Sequence, residues 1–490
     1  RPGPAMGRVG LKATAKGGMD TVALDADAAL AGGAFRLAGK IDTPATAPKF
    51  DLTLALQHPD LVRFVSAFDP GFAPANRQLG NLKIDAALRG DADNLAIEGL
   101  EGNVGPTTLS GKGTYRAAEP RPALDLALIA GTIPLGDFLG RKPVPGGQAT
   151  SPRAPGSAPS PAPGVPAQGA SAGGQGDGQA AGTDAGGSAR WSREPVDLGA
   201  LGLVDANIDL GAEAVIYDTY RVDNPKILAV LKDRVLDIRQ VSGRMFEGGF
   251  AATGVVDGSD VPAFRTSVQV DKAKIRKPFF GSESFDIQAG DLSQSLTLAA
   301  RGRSEYDMIR TLNGSGNLSV TDGTISGIDL AQISQSLRGD NAFANIAGLI
   351  GAIQGAIGGG KTTAVKSFAG SYTVKDGVVE TTDLALVSDQ SDAKAAGTVN
   401  LPAWNMDMAA DITLNKLKDN PTFRVRATGA PDRPNYNFDV GSLARQAVGQ
   451  GVDKLLEKVL PGGRSGEGAP TDGKPDPADA IRGLLRGLGR

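Results

Sequence analysis

Apolar and polar residues alternate along most of this chain, and the alternation predicts strands. Leu52-Thr-Leu-Ala-Leu56, Leu82-Lys-Ile-Asp-Ala-Ala-Leu88 and Leu124-Asp-Leu-Ala-Leu128 repeat with a period of two. Such a period marks a strand with one wet face and one greasy or buried face. The longest case places Val204, Ala206, Ile208, Leu210, Ala212, Ala214 and Ile216 on one face, against Asp205, Asn207, Asp209, Gly211 and Glu213 on the other. Unbroken, that strand runs ~43 Å. Further strands are expected near residues 235–241, 250–256, 264–270 and 296–300, and again at 372–374, 378–381, 384–387, 406–414, 423–428 and 436–440.

A unit recurs within this pattern. A Pro, a spacer, a large apolar residue and then alternation appear at Pro48, Pro122, Pro262 and Pro402. A glycine-marked strand precedes each copy, at Gly39, Gly113, Gly254 and Gly397. The repeated order predicts an antiparallel meander whose prolines stand at strand starts, where a missing N–H is tolerated.

After Gly327 the period changes. Ile328, Leu330, Ile333 and Leu337 predict a helix, and Phe343, Ile346, Leu349, Ile350, Ile353 and Ile357 a second, closed by the glycines at 358–360. The second is short for a membrane span, so it reads as a cover over the greasy end of a sheet or as a membrane contact. A later helix is expected at about 443–460. Ile481, Leu484, Leu485 and Leu488, beside Arg482, Arg486 and Arg490, predict a short amphipathic one at the end. That last helix packs on the protein's own sheet or docks on an anionic membrane.

Composition sets the domain plan. Residues 141–195 are dominated by Pro, Ala, Gly and Ser, too poor in large apolar groups to offset ordering entropy, and are expected to be a disordered linker. It separates a β segment at 1–140 from a second at 196–440 with a helical insertion at about 328–358; helices and tail fill 441–490. Gly is abundant (68 residues) and aromatics are scarce (5%). Glycine on this scale without a collagen period serves turns, bulges and strand curvature.

A net charge of −3 with no basic stripe argues against nucleic acid. The absence of Cys removes disulfides, thiolate metal sites and cysteine nucleophiles. Gly355-Ala-Ile-Gly-Gly-Gly-Lys361-Thr362 spells a phosphate-binding loop, but an apolar helix precedes it where a buried strand is required. It reads instead as a helix end and loop. His58, the single histidine, stands alone ahead of Pro59 and reads as a loop residue. No metal, cofactor or catalytic group is nominated, so no enzyme activity is expected.

The stretch from Leu312 to Ala331 adds a different kind of information. Glycines at 314 and 316 lead into Leu318-Ser-Val320; Asp322-Gly323 reads as a tight turn, and the chain returns through Ile325 past Gly327. Downstream follow Lys366-Ser-Phe-Ala-Gly-Ser371, Val374-Lys-Asp-Gly-Val-Val379, Thr382-Asp-Leu-Ala-Leu386 and Ala396-Gly-Thr-Val-Asn-Leu401. Over roughly residues 300–440 this order resembles the C-terminal region of the AsmA family.

The resemblance implies a mainly β fold, an elongated repeating antiparallel sheet forming a groove with an apolar lumen. It also implies a periplasmic location with an inner-membrane anchor lying outside this fragment. The implied function is carriage of phospholipid between inner and outer membranes, in support of outer-membrane assembly. Partners are then phospholipid acyl chains, the membrane and an outer-membrane protein. The alternation itself nominates the lining: Leu52, Leu54, Leu56, Leu124, Leu126, Leu128, Ile208, Leu210, Val268, Val270, Leu296, Leu298, Leu384 and Leu386. Each is equally compatible with an ordinary sandwich core. Two other functions stay open: an assembly factor for outer-membrane protein or lipopolysaccharide biogenesis acting by protein contacts, and a surface β-rich structural protein.

Overall fold

The period-two pattern becomes a single sheet. The computed structural model describes residues 10–439 except 19, 44–46, 69–70, 73, 140–189, 280–284, 337–350, 352 and 418–419. Within them lie strands β1 (Gly10–Gly17), β2 (Thr21–Leu30), β3 (Gly33–Asp42), β4 (Lys49–His58), β5 (Leu82–Gly90), β6 (Asn94–Val104), β7 (Thr107–Arg116) and β8 (Ala123–Pro134). Then follow β9 (Asp205–Tyr217), β10 (Tyr220–Lys232), β11 (Val235–Met245), β12 (Gly248–Asp257), β13 (Ala263–Ile275), β14 (Asp286–Arg301) and β15 (Asn313–Ile328). The last are β16 (Ile357–Lys375), β17 (Val378–Val387), β18 (Ser391–Asn400), β19 (Asn405–Leu414), β20 (Thr422–Ala430) and β21 (Arg433–Asp439). All 21 belong to one sheet.

Each strand pairs with its neighbour in sequence, antiparallel throughout except where β8 meets β9 in parallel. The meander is therefore open and continuous across the segment that joins β8 to β9. The four Pro-containing units become the hairpins β3–β4, β7–β8, β12–β13 and β18–β19.

Antiparallel order gives the sheet two edges of strand ends. One carries short turns, among them Asp233–Arg234 and Asp376–Gly377, and the helix α3 (Glu305–Arg310), capped by Ser304 accepting from the Asp307 N–H. The other carries α1 (Leu61–Phe68), α2 (Leu135–Phe138) and α4 (Leu330–Ser336). No helix among the described residues is long and apolar enough to cross a membrane.

Because β9 is parallel to β8, the chain must return from the helix-bearing edge to the turn edge before β9 begins. Residues 190–204 make the last part of that return as a strap along the turn edge. Trp191 donates its indole N–H to the Leu401 carbonyl at 2.9 Å and meets Trp404 edge-on at 5.9 Å. Arg190 stacks on Trp404 at 3.5 Å and pairs with Asp432 at 3.6 Å. Pro195 bridges to Ser304 and the Val196 N–H bonds the Arg303 carbonyl. Residues 190–195, at the end of the expected linker, are thus packed; residues 140–189 lie outside the described residues, as do the helices expected at 443–460 and at the C-terminus.

Three local expectations are corrected. Asp322-Gly323 is not a turn: β15 runs through it, and Asp322 (φ 48°) is a bulge between the pairs Asp291–Thr321 and Ala289–Thr324. Paired strands on both sides hold it, so local turn chemistry yields a kink rather than a reversal. The glycines at 358–360 do not close a helix but open β16, Gly358 pairing with Gly327. His58 is not a loop residue but the buried end of β4, 2% exposed, its Nδ1 accepting from the Asp60 N–H and its Nε2 donating to the Ala31 carbonyl. Most of the second helix expected at 343–357 lies outside the described residues.

Candidate binding surface

Side chains in a sheet alternate between faces, and cross-strand partners share one. The register therefore shows which residues stand together. One row crosses every strand in order: Ala15, Leu24, Gly39, Leu52, Leu88, Ile97, Gly113, Leu126, Ile208, Ala229, Ile238, Gly254, Thr266, Leu298, Gly314, Val374, Val379, Val399, Met406, Gly429 and Pro434. Thr266 is its single polar member. All the residues nominated from sequence lie on this face. Leu126 and Leu128 stand beside Ile208 and Leu210, Val268 beside Leu296, and Leu386 beside Phe368.

The opposite face is ionic. Arg36 pairs with Asp25 at 3.0 Å, Arg89 with Asp51 and Glu98, Arg424 with Asp411 at 2.7 Å and Arg426 with Asp407 at 2.5 Å. Across the parallel junction Asn207 donates to Asp125, and this bond, with those from Thr114 and Arg116, holds the Asp125 carboxyl below its usual value. The sheet is thus one layer with a greasy side and a charged side.

Helices cover the greasy side near each end. Leu61 of α1 is buried against Leu79 and Leu82, with Leu56 and Ile84 packed alongside. At the far end Leu330 and Ile333 of α4, with Ile353 and Ala356, are buried over Ile325, Leu386, Ile412 and Phe423. Between them a third patch around Val270, Leu292 and Val320 is buried, with Phe246, Phe250 and Phe279 packed against it, and the rest of the face is half-covered. Of the nominated residues Leu52, Val270 and Leu386 are buried, while Leu54, Leu56, Leu124, Leu126, Leu128, Ile208, Leu210, Val268, Leu296, Leu298 and Leu384 are half-buried. A contiguous apolar surface of this length on a single-layer sheet is the physical mark of an apolar-ligand or partner surface.

Glycine lets the strands approach under large side chains. At Gly316 an added Cβ would stand 2.4 Å from the Tyr372 hydroxyl, and at Gly397 2.9 Å from the Met408 sulfur. The ring and the thioether therefore lie flat over the neighbouring strand.

Beside Leu330 of α4 the face deepens into an open-sided cavity of about 370 Å³, bounded by β15 to β21. Met406, Met408, Ala410, Ile412 and Val425 line it together with Ile357 and Phe368. Leu384 and Leu386, nominated from sequence, line it too; the others were not nominated, although Met406-Asp-Met408-Ala-Ala410-Asp-Ile412 carries the same alternation. Asp407 and Asp411 mark that strand as one with a wet side. What sequence could not show is that α4 folds back over its other side.

A sequence profile of the AsmA family matches residues 71–384, from just before β5 into β17. No curated protein matches the chain, and no solved structure does. The profile takes in the parallel junction, α3, α4 and the bulged strand β15, and spans more than half of the sequence. The chain belongs to the AsmA family.

Proposed function

We propose that this chain forms a hydrophobic groove that carries phospholipid between the inner and outer membranes across the periplasm, supporting outer-membrane assembly and integrity. Family membership supports an envelope-related function and an envelope location, and the AsmA family is not known as an enzyme family. The observation that carries the reading is the apolar row through every strand from β1 to β21, half-covered along much of its length.

The physical need is large. Exposing acyl chains to water costs ~0.8 kcal/mol per methylene, which sums to roughly 20 kcal/mol or more for a two-chain lipid. A strip of Leu, Ile, Val, Ala and Gly keeps the chains dry while a head group stays in water. Aliphatic walls with a lone threonine in the row offer no strong polar anchor, so a chain can slide from strand to strand. No bond is made or broken, and the step asks for no acid, base or metal.

The test is mass spectrometry of the purified protein from a bacterial membrane extract. Wild type is expected to carry phospholipid. Ile208→Asp with Leu210→Asp is expected to lose it while the strand-rich circular dichroism persists. A wild-type protein free of lipid sinks the reading.

A further inference from the structure

We propose that the cavity beside α4 is a terminal site for one acyl chain of an anionic amphiphile, with Lys361 receiving the charged head; this rests on the lipid reading of the apolar face. The cavity and the lysine are separate observations that meet on α4.

The cavity has room for an acyl chain. A methylene fills about the volume of a water molecule, roughly 30 Å³, so about 370 Å³ takes on the order of a dozen methylenes. The lining is almost wholly aliphatic, and two methionines, Met406 and Met408, give it walls that adapt to chain shape. Ser326 and Tyr436 are its polar side chains. Burial raises the Tyr436 hydroxyl above its usual pKa, consistent with a dry interior.

The lysine stands at the α4 side. Lys361, four residues along β16 from the lining residue Ile357, donates to the Gln332 side-chain oxygen at 3.0 Å. Gln332 is two residues from Leu330, which also lines the cavity. Lys361 is half-buried, and among the described residues no carboxylate lies within ion-pair distance of it. An ammonium has three donors, and one neutral amide leaves two for an incoming anion. One turn on from Leu330, Ser334 is fully buried and its hydroxyl has no hydrogen-bond partner among the described residues. A buried, unanswered hydroxyl is costly unless something else meets it. Ser334 shares the helix face of Leu330, and the Lys361 ammonium stands on the Gln332 side of α4, a cation beside an apolar cavity and suited to a carboxylate or phosphate with a chain behind it.

The experiment is calorimetry on the full chain with three probes of equal chain length: tetradecanoate, tetradecyl phosphate and tetradecanol. Lys361→Gln is expected to weaken both anions about tenfold, the scale of a charge-assisted hydrogen bond, and to leave tetradecanol unchanged. Ala410→Trp, which fills the cavity, is expected to abolish all three. Tighter binding of the phosphate points to a phospholipid head, and of the carboxylate to a free fatty acid; either supports the site. Unchanged anion affinity in Lys361→Gln overturns it, as does equal weakening of tetradecanol, which would make the lysine merely structural. Should Ala410→Trp fail to fold, the lysine variant still decides. Phospholipid retained by the wild type while both variants bind the probes normally refutes this site and leaves the groove reading intact.

Discussion

Leu126 of β8 and Ile208 of β9 stand side by side in the parallel junction of an otherwise antiparallel sheet. This contact keeps the apolar face continuous. A slip of one residue in the junction would turn Ile208 and Leu210 to the charged side and break the strip in two. The charged side fixes the register independently, because Asn207 must reach Asp125 and Arg121 must reach Asp205 at 3.1 Å.

The first prediction compares neighbours on β8. Leu126 faces the strip and Ala127 faces water. Leu126→Asp is expected to cut co-purifying phospholipid by more than half. Ala127→Asp is expected to leave it unchanged, with stability within about 0.5 kcal/mol of wild type, as for an ordinary surface change. Equal lipid loss in both would mean that the face does not select the ligand.

Much of this architecture was legible in the chain because strand alternation is local and unusually regular. The strand of thirteen residues at Asp205–Tyr217 and the four Pro-marked hairpins need no distant contact to be read. Asp322-Gly323 was misread because a tight turn and a bulge use the same residues, and only the long partners β14 and β16 decide between them. His58 looked like a loop residue because the partner that buries its ring, Ala31, meets it only once β2, β3 and β4 are aligned. The cavity was hidden for a similar reason: it depends on α4 lying across strands far ahead in sequence.

The second prediction concerns close approach. Gly316→Ala would place its Cβ 2.4 Å from the Tyr372 hydroxyl and 2.7 Å from the Ser295 carbonyl oxygen. The ring can swing away but the backbone oxygen cannot. We expect a loss of about 1–3 kcal/mol, typical of overpacking, in urea denaturation. Tyr372→Ala in the same chain should rescue only part of it. Full rescue would assign the tightness to the ring alone.

The third prediction uses the charged face. The hydrogen bonds from Arg426 and Arg424 hold the Asp407 and Asp411 carboxyls below their ordinary values. A depressed carboxyl contributes stability above its unfolded-state pKa and loses it as pH falls through the folded-state value. Asp407→Asn is therefore expected to lower the urea midpoint slightly at about pH 7, with the deficit shrinking as pH falls through the folded-state value. The pairs are exposed, so 1 M salt, with a Debye length of about 3 Å, should erase most of the difference. A deficit that persists at low pH would mean that Asp407 acts through packing.

The last prediction concerns the strap, where the protein's two tryptophans meet. Trp191 is held by the Leu401 carbonyl, and Trp404 by the Arg190 guanidinium above it and Asp432 at 3.0 Å from its indole nitrogen. These bonds tie the last part of the β8–β9 crossover to the turns of β18–β19 and β20–β21, far along the sheet. The hydrogen bond from Trp404 is also the chief cause holding the Asp432 carboxyl below its usual value. Both rings are half-buried, so Trp191→Ala is expected to cost about 2 kcal/mol, less than a full core tryptophan. Because the chain has no other tryptophan, its fluorescence reports the strap directly. In wild type the red shift and the loss of strand circular dichroism should coincide in denaturant, since releasing the strap exposes the ends of the hairpins it holds. In Trp191→Phe, which keeps the ring and loses the N–H donor, the remaining Trp404 signal should shift at lower denaturant than the sheet melts. A single shared midpoint in that variant would show that ring packing, not the bond to Leu401, fastens the strap.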